Sequence, residues 1–473
     1  MSGPVSPSET PFAAIRQKME FAGLDAAAIR AFHASFAALE RGATGMISEA
    51  EIVPVDDLPN SSGLSSEPHH DLLAQTVVIK LNGGLGTSMG LEKAKSLLRV
   101  REKDTFIDLI ARQILCLRAR TGRSVPRFVL MNSFSTSQDT CAHIAHRFPQ
   151  LGDPASLELM QNRVPKLDAA TFQPIKMPGQ PELDWCPPGH GDIYACLLGS
   201  GLLDRLLSEN ILYAFVSNSD NLGATLDPAL LAFFAKNGRS FLMEVTRRTV
   251  ADRKGGHLAI RKNDGRFVLR ESAQCPKPDE TAFQDINRHA FFNTNNLWIR
   301  LDHLSEELRK HDGLIPLPVI INRKTADPRD LKSPSVIQLE TAMGAAIEAF
   351  PRAAAIEVPR MRFAPVKTTS DLLAVRSDAF TLTEDFRLEL HPDRRSEPPA
   401  LDLDPRHYRL VDGLEAAFPH GAPSLRFCRS LTVRGPIQCD AAVTFVGDVL
   451  IQNQSDRAAR LRTGAYEGEF TFP

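Results

Sequence analysis

A glycine-dense stretch, residues 81–90, has the residue types that most clearly suggest chemistry, namely the binding of phosphate groups. Glycines leave backbone N–H groups uncovered, so that they can point at phosphate oxygens, and Lys93 and Lys95 follow with positive charge. The spacing from Gly84 is G-x-G-x-x-x-G, which matches neither the dinucleotide fingerprint nor the P-loop. A glycine cluster alone is more often a tight turn, but the apolar run 77–81 before it and the lysines after it favour a phosphate-binding loop.

A second candidate is the segment 185–194, WCPPGHGDIY, in which glycines flank His190. Its two prolines favour an extended approach, and the glycines let a ligand come close to both the backbone and the imidazole. A helix that begins near Asp192 would also present its N-terminal N–H groups to an anion. The alternative is a rigid turn whose histidine bonds to a neighbouring strand, but the flanking glycines favour ligand contact.

A third candidate is Asp220, which follows an apolar run that ends in Ser217. In open α/β sheets, ligands bind outside the carboxyl ends of the strands. A carboxylate there, beside a phosphate site, suits Mg²⁺, which takes one or two carboxylates together with phosphate oxygens. The competing interpretation is a cap of the next helix or turn, which is a common role for Asp.

Three further polar side chains are weaker candidates. Lys367 precedes the capping sequence Thr-Thr-Ser-Asp and could direct its ammonium into a cleft, although most lysines are simply solvated. Glu244 and Asn293 have the short carboxylate and amide groups that bind hydroxyl-rich sugars. Asn293 lies in an asparagine-rich segment, and such segments are usually turns, so this indication is weak.

The composition narrows the class of protein. With 473 residues and 43% hydrophobic content, the chain can hold two or three domains with a sizeable core. A formal net charge of −2 argues against a nucleic-acid or basic membrane-binding surface. The seven cysteines include no C-x-x-C pair, which indicates neither a zinc site nor a disulfide framework, and residues 1–12 lack the pattern of a signal peptide. We therefore expect a soluble, cytoplasmic protein.

The helices that would frame these candidates follow from apolar periodicity. Spacings of three and four predict two short helices between Phe12 and Gly42, broken near Gly23. A further helix is predicted to begin at a cap, Asp104 or Thr105. From about 75 to 382, helical runs alternate with strand-like runs, which is typical of α/β domains with a mostly parallel sheet. The clearest predicted strands are 77–81, 128–131, 212–217, 241–246 and 297–300.

The last ninety residues have a different composition. Residues 383–423 are rich in Pro, Asp, Arg and Glu and are predicted to form a loose connector. Short alternating runs follow, separated by Gly435 and Gly447, at 425–427, 431–433, 443–446 and 449–451. Strands at this spacing predict a small β-helix or β-solenoid.

Taken together, these segments resemble the eukaryotic-type UTP–glucose-1-phosphate uridylyltransferase family. The matching motifs, in the same order as in the family, are residues 81–90, 131–134, 187–194, 216–225, 243–246, 254–256, 292–298, 336–344 and 366–373. Several long motifs in one order are far more specific than any one of them. The resemblance implies an α/β fold with a Rossmann-like, GT-A-like nucleotidyltransferase core and a mostly parallel mixed sheet. The implied domains are a helical N-terminal region with its linker (1–72), the catalytic domain (73–382), a connector (383–424) and a short left-handed β-helix (425–473).

The resemblance also implies site residues at the matching positions. Those implied for UTP are Leu81, Asn82, Gly83, Gly84, Lys95, Gln161, Gly189, Asp220 and Lys367. Those expected for the sugar phosphate are His190, Asn218, Ser219 and Asp220, together with the weaker candidates Glu244 and Asn293. Asp220 would bind Mg²⁺, and Lys95 and Lys367 would be catalytic. Many members of the family have Gly-Pro before the lysine where this chain has Glu92-Lys93-Ala94, so Lys93 stays open as an alternative to Lys95.

The implied reaction is an in-line attack by a phosphate oxygen of glucose 1-phosphate on the α-phosphorus of UTP, which gives UDP-glucose and pyrophosphate. The nucleophile is already an anion, so no general base is needed, and two lysines with Mg²⁺ would neutralise the charge. Two alternatives stay open: a UTP-dependent pyrophosphorylase for another or a broader range of sugar 1-phosphates, and a non-catalytic sugar-nucleotide-binding protein. We expect a monomer or small homo-oligomer without nucleic-acid or membrane partners.

Overall fold

The computed structural model describes residues 11–65, 70–122, 124–330, 332–394 and 397–473. Its α-helices, α1 to α13 in chain order, are Pro11–Phe21, Ala26–Glu40, His70–Ala74, Phe106–Thr121, Ser137–Arg147, Ile193–Gly199, Leu202–Ser208, Pro228–Lys236, Glu280–Gln284, Leu301–Lys310, Thr369–Arg376, Pro405–Tyr408 and Val411–Ala417. The two predicted N-terminal helices are α1 and α2, with Gly23 at φ 76° between them. The predicted capped helix is α4, where Thr105 and Asp108 form a capping box.

The strands, β1 to β25 in chain order, include all five that the sequence predicts. They are Ile52–Pro54, Thr76–Asn82, Arg99–Arg101, Asp104–Thr105, Arg127–Asn132, Glu158–Met160, Val164–Pro165, Leu167–Asp168, Trp185–Cys186, Tyr213–Asn218, Phe241–Arg247, His257–Arg261, Phe267–Arg270, Phe291–Arg300, Val319–Thr325, Ser335–Thr341, Ala354–Glu357, Phe380–Leu382, Leu388–Leu390, Ala400–Leu403, Ser424–Arg434, Ile437–Cys439, Val443–Asn453, Ala459–Leu461 and Gly464–Phe472.

The main sheet is mixed, and its parallel half positions the candidate site. The strand order is β1-β12-β14-β10-β2-β5-β6. In addition, β11 pairs with β14 and β17, and β13 pairs with β12. Strands β10, β2, β5 and β6 are parallel neighbours, whereas β14 is antiparallel to β10. The carboxyl ends of β2 and β10 lie side by side, with Asn218 opposite Leu81. This is the edge at which open α/β sheets bind ligands.

Helices α1 and α2 cover a small separate sheet. Strands β15, β16 and β8 form this three-stranded sheet. The buried faces of the helices, which include Phe12, Ile15 and Phe36, pack in one cluster with Leu167 of β8 and Ile337 of β16. The amphipathic pattern of the N-terminal region is therefore explained by contact with this sheet.

Residues 383–423 are not the loose connector that their composition predicts. They contain β19, β20, α12 and α13, and Tyr408 and Leu414 are buried in the main hydrophobic cluster. The Tyr408 hydroxyl donates to the Gly435 carbonyl and accepts from the Ile437 N–H, both at 2.8 Å. Because its polar group is satisfied in this way, the aromatic ring can be buried in the cluster that joins the main sheet to the C-terminal strands.

The C-terminal strands are longer than the sequence predicts. The four short runs are parts of two eleven-residue strands, β21 and β23. Irregularities in pairing occur near Cys428 and Gly447, so these positions bend the strands rather than end them. Strands β20, β21, β23 and β25 pair in parallel, as do β22 and β24.

One hydrophobic cluster joins the main sheet to the C-terminal strands. It runs from Val78 of β2 through Phe106 of α4 and Leu372 of α11 to Leu431 of β21 and Ile451 of β23. Within the ranges given above, no helix has both the length and the apolar character needed to cross a bilayer.

Candidate active site

The glycine loop, residues 83–90, leaves the carboxyl end of β2 and is held by two hydrogen bonds. Ser133 Oγ donates to the Gly83 carbonyl at 2.8 Å, and the Lys95 N–H donates to the Gly84 carbonyl at 3.1 Å. Gly86 has a φ of 69°, in the left-handed region that favours glycine. A Cβ at Gly84 would meet no protein atom within 4 Å. The backbone at Gly84 is therefore open on the side from which a phosphate could approach.

Lys95 and Asp220 meet at the carboxyl ends of β2 and β10. Lys95 Nζ lies 2.6 Å from Asp220 Oδ2, and both side chains are largely buried. Lys93, by contrast, is exposed. The structure therefore turns Lys95 rather than Lys93 into the site. Its neighbour Asp220 belongs to a loop, residues 218–224, that we call the Asp220 loop.

The second oxygen of Asp220 fits a cation. Oδ1 is buried and has no hydrogen-bond partner, and buried carboxylate oxygens normally have a donor or a metal. Across the residues for which the structure gives positions, no three His, Cys, Asp or Glu side chains gather into a metal site. A single carboxylate completed by phosphate oxygens is the mode of binding that suits Mg²⁺.

Lys367 comes next to this site through the pairing of two chain segments. Asn221 forms an isolated bridge with Pro365, and the Val366 N–H donates to the Asp220 carbonyl at 3.1 Å. Lys367 then precedes α11, whose capping box is formed by Thr368 and Asp371, as the residue types predict. Its ammonium is exposed and lies 5.9 Å from the centre of the Phe363 ring.

Gln161 links the glycine loop to the turn at residues 187–191. Gln161 Nε2 donates to the Gly189 carbonyl at 3.1 Å, and a Cβ on Gly83 would lie only 2.6 Å from Gln161 Oε1. Gly189 has a φ of 81°, and a Cβ there would meet the Thr341 carbonyl oxygen at 2.4 Å. Only glycine fits at Gly189. Three of the residues implied for UTP, Gly83, Gln161 and Gly189, thus lie together.

His190 is held in one tautomer. The Met343 N–H donates to His190 Nδ1 at 2.9 Å, so the proton of the neutral imidazole is on Nε2. Burial lowers the pKa of His190 to about 4, which keeps the ring neutral at physiological pH. The ring therefore offers an uncharged N–H donor. It opens a short 3₁₀ turn, His190–Asp192, and the predicted helix follows as α6.

Two side chains implied for ligand contact bond to the protein instead. Asn82 is 2% exposed, and its amide donates to Asn132 Oδ1 and Thr140 Oγ1. Its Oδ1 accepts from Ser219 Oγ at 3.0 Å. Both residues are therefore placed to hold β2 and β10 together, and Asn82 could reach a ligand only through its backbone.

Glu244 is not available to a sugar. The side chain is fully buried, and both oxygens accept from Arg362 at 2.7 Å. Asn296 Nδ2 and Trp298 Nε1 donate to the same carboxylate at 3.0 and 2.9 Å. We correct the expectation of sugar contact, because four protein donors already satisfy this group. Residue type alone could not distinguish a ligand carboxylate from a buried one.

Asn293 lies in β14, not in a turn, and it pairs with a carboxylate that the sequence reasoning missed. Burial raises the pKa of the Glu271 carboxyl, and Lys367 and Asn293 lie close enough to act in the opposite direction. A Cβ on Gly256 would lie 2.5 Å from Glu271 Oε2, so this glycine makes room for the carboxylate. The Lys-Gly-Gly motif at 254–256 was the signal that could have pointed to it.

Comparison of the sequence with known proteins identifies the family of this chain. The model of the family "UTP–glucose-1-phosphate uridylyltransferase" matches residues 28–445. A UTP–glucose-1-phosphate uridylyltransferase of Solanum tuberosum is 40% identical over 419 residues, which are 88% of this chain and 84% of that protein. The enzyme of the same name from Saccharomyces cerevisiae is 40% identical over 398 residues, or 84% of this chain and 78% of that protein.

The solved structures agree with the sequence comparisons. A mutant UDP-glucose pyrophosphorylase from Leishmania major in complex with UDP-glucose is 47% identical, superposes with a TM-score of 0.93, and is matched over 98% of this chain and 99% of that one. The chain therefore belongs to the UTP–glucose-1-phosphate uridylyltransferase family and is a nucleotidyltransferase.

Proposed function

We propose that this protein joins UTP and glucose 1-phosphate to give UDP-glucose and pyrophosphate. The observation that carries the proposal is the meeting of Lys95 and Asp220 beside the glycine loop, with Asp220 Oδ1 left without a partner. Family membership gives the reaction class, and this arrangement supplies the cations and the carboxylate that the reaction needs.

The chemistry requires charge neutralisation more than proton transfer. A phosphate oxygen of glucose 1-phosphate forms a bond to the α-phosphorus of UTP while the bond to the pyrophosphate oxygen breaks. Lys95 and Lys367 approach the site from two segments and reduce the repulsion between the two anions. When bound at Asp220, Mg²⁺ would withdraw charge from the phosphate oxygens. His190, neutral and donating through Nε2, orients a ligand without adding charge.

Selectivity for the two substrates is assigned to two separate sets of residues. The close approach of Gly83, Gln161 and Gly189 supports a uracil site. Asn293 with Glu271, near Lys367, supports a sugar site, since an amide and a carboxylate together offer donors and acceptors to hydroxyl groups. Asn218, the last residue of β10 and opposite Leu81 of β2, is assigned to the sugar phosphate.

The finer features of the fold belong to the same proposal. We assign the main sheet to a Rossmann-like, GT-A-like core and the C-terminal parallel strands to a left-handed β-helix. The parallel half-sheet and the parallel pairing of β20 to β25 support these assignments. A monomer or small homo-oligomer in the cytoplasm stays a prediction.

The experiment is a pyrophosphate-release assay with purified protein, Mg²⁺, a panel of nucleoside triphosphates and a panel of sugar 1-phosphates. We expect turnover with UTP and glucose 1-phosphate only. Equal turnover with galactose 1-phosphate or an N-acetylhexosamine phosphate would favour a broader enzyme. Binding of UDP-glucose without release of pyrophosphate would overturn the proposal in favour of a non-catalytic protein.

A further inference from the structure

Lys80 is a charged side chain in the middle of β2, and it is only 2% exposed. Its Nζ donates to Ser217 Oγ at 2.8 Å and to the Ala224 carbonyl at 2.5 Å. Buried parallel strands are normally runs of apolar residues, because an ammonium loses its hydration inside the protein. Core packing alone gives no reason for a lysine at this position.

The surroundings compensate the charge of Lys80 only in part. Glu244 is the carboxylate that acts on it, but Arg362 already forms an ion pair with both oxygens of that group. Lys80 and Arg362 both lie over the Phe215 ring, 5.8 and 6.0 Å from its centre. Arg362 also lies 3.8 Å from Asp227 Oδ2. Burial, together with the nearby charge of Arg362, lowers the pKa of Lys80 to about 7.

The two hydrogen bonds of Lys80 reach both ends of the Asp220 loop. Ser217 directly precedes the loop, and Ala224 is its last residue. One ammonium thus joins the start of the loop to its end. Arg362 bonds to the next residue of the chain, because its Nη2 donates to the Thr225 carbonyl at 3.0 Å. Its own carbonyl accepts from Asn221 Nδ2 at 3.0 Å.

We propose that Lys80 is a positioning residue: by bonding to both ends of the Asp220 loop, it fixes the direction in which the Asp220 carboxylate points toward its cation. The inference rests on the proposed role of Asp220 as the Mg²⁺ ligand. Lys80 donates to Ser217 and Ala224, one residue on each side of the stretch that contains Asp220. It acts through the backbone of the loop.

The test compares Lys80→Met with Lys166→Met. Lys166 is a matched control, because it is 5% exposed and also donates to a carbonyl, that of Ala326 at 2.7 Å. Hydrogen exchange of the metal-free proteins reports on the loop amides at 218–224. Steady-state kinetics report kcat, the KM for UTP and the Mg²⁺ concentration for half-maximal activity.

For Lys80→Met we expect faster exchange confined to the loop and roughly a tenfold higher Mg²⁺ requirement, the effect of losing one or two buried hydrogen bonds. For Lys166→Met we expect neither change. Unchanged loop exchange and an unchanged Mg²⁺ requirement in Lys80→Met would overturn the inference. If Lys80→Met does not fold, Ser217→Ala decides by the same two measurements. Full activity of Asp220→Ala would instead refute the metal-binding role of Asp220 on which the inference rests, and absence of pyrophosphate release by the unmodified protein would refute the proposed function, so the failures are distinguishable.

Discussion

A single backbone contact sets the tautomer of His190. Because the Met343 N–H occupies Nδ1, the imidazole can offer only Nε2–H. A protonated ring would have no acceptor for its second proton at that position. The geometry and the low pKa therefore agree on a neutral donor.

The same burial predicts a pH dependence of stability. The pKa of His190 is about 4 in the folded protein, against about 6.5 in an unfolded chain. Between these values the unfolded chain binds more protons, so the free energy of unfolding falls as pH drops from about 6.5 towards 4. We expect His190→Gln, whose side chain does not titrate, to lose less stability over this range. Urea unfolding at a series of pH values measures this, and parallel curves would contradict it.

Neutralisation of charge at the reacting phosphates is assigned to Lys367 and to the Mg²⁺ ion that Asp220 would bind. Removing one charge-stabilising group from such a site lowers turnover by about 10²–10³. We expect Asp220→Ala and Lys367→Ala to show losses of this size while the proteins stay folded by circular dichroism. The exposed Lys93 gives the control, and Lys93→Ala should retain near-normal turnover. Near-normal kcat in both site variants would disprove the assignment.

A substitution at Gly84 can test phosphate binding without a large effect on the stability of the fold. A Cβ there meets nothing within 4 Å, and the same holds at Gly63, which lies outside the site. We expect Gly84→Ala and Gly63→Ala each to change the free energy of unfolding by less than about 1 kcal/mol. Only Gly84→Ala should weaken UTP binding, by roughly tenfold, because its methyl group would displace a phosphate from the loop amides. Calorimetric titration with UTP measures the difference, and equal affinities would exclude a close phosphate.

Sequence patterns located backbone sites better than side-chain roles. The glycine loop and the Gly-His-Gly turn are local, and their residues could be identified without knowing the fold. Glu244 was misassigned and Glu271 missed, because their roles depend on long-range partners, Arg362 in one case and Asn293 in the other. Those partners lie more than twenty residues away, and no spacing rule connects them.

At the scale of elements, a buried ion pair ties β11 to the short 3₁₀ turn Arg360–Arg362. Glu244 of β11 and Arg362 are both buried, and Asn296 and Trp298 of β14 complete the carboxylate's hydrogen bonds. The turn leads directly to Lys367. The position of that lysine thus depends on a charge pair inside the protein.

Breaking this pair should be more harmful than replacing it. Arg362→Met removes the ion-pair partner of a buried carboxylate, and breaking a buried pair in this way costs about 3–5 kcal/mol in stability. We expect Glu244→Gln combined with Arg362→Met to be destabilised by less than the sum of the two single variants. Urea denaturation of all four proteins gives the coupling energy. Strict additivity would mean that the two side chains do not stabilise one another.

The existence of elements was predictable, but their ends were not. Strands β2 and β5 are short, strongly apolar runs, and the structure extends each by one or two residues. The segments 425–427 and 431–433 are predicted as separate strands, yet they form one strand, β21, because its pairing with β23 resumes after an irregularity near Cys428. Tertiary pairing of this kind leaves no local signal.

At the scale of the whole molecule, one hydrophobic cluster extends across the domain boundaries that the composition predicts. Tyr408 and Leu414, from the supposed connector, lie in the same cluster as Val78 and Leu431. We therefore expect one cooperative calorimetric transition with equal calorimetric and van't Hoff enthalpies. Two separated transitions would show that the C-terminal strands unfold by themselves.

The chain has two tryptophans, Trp185 and Trp298, and each lies near a different segment of the candidate site. Trp298 is buried in β14, with its ring centre 4.6 Å from that of Phe215, and it donates to Glu244. Trp185 lies just before the turn that carries His190, beneath the Arg163 guanidinium at 4.7 Å. The unlabelled protein thus carries its own optical probes. Trp185→Phe would isolate the buried emitter, so that stopped-flow fluorescence could follow events around Glu244 as nucleotide and Mg²⁺ arrive.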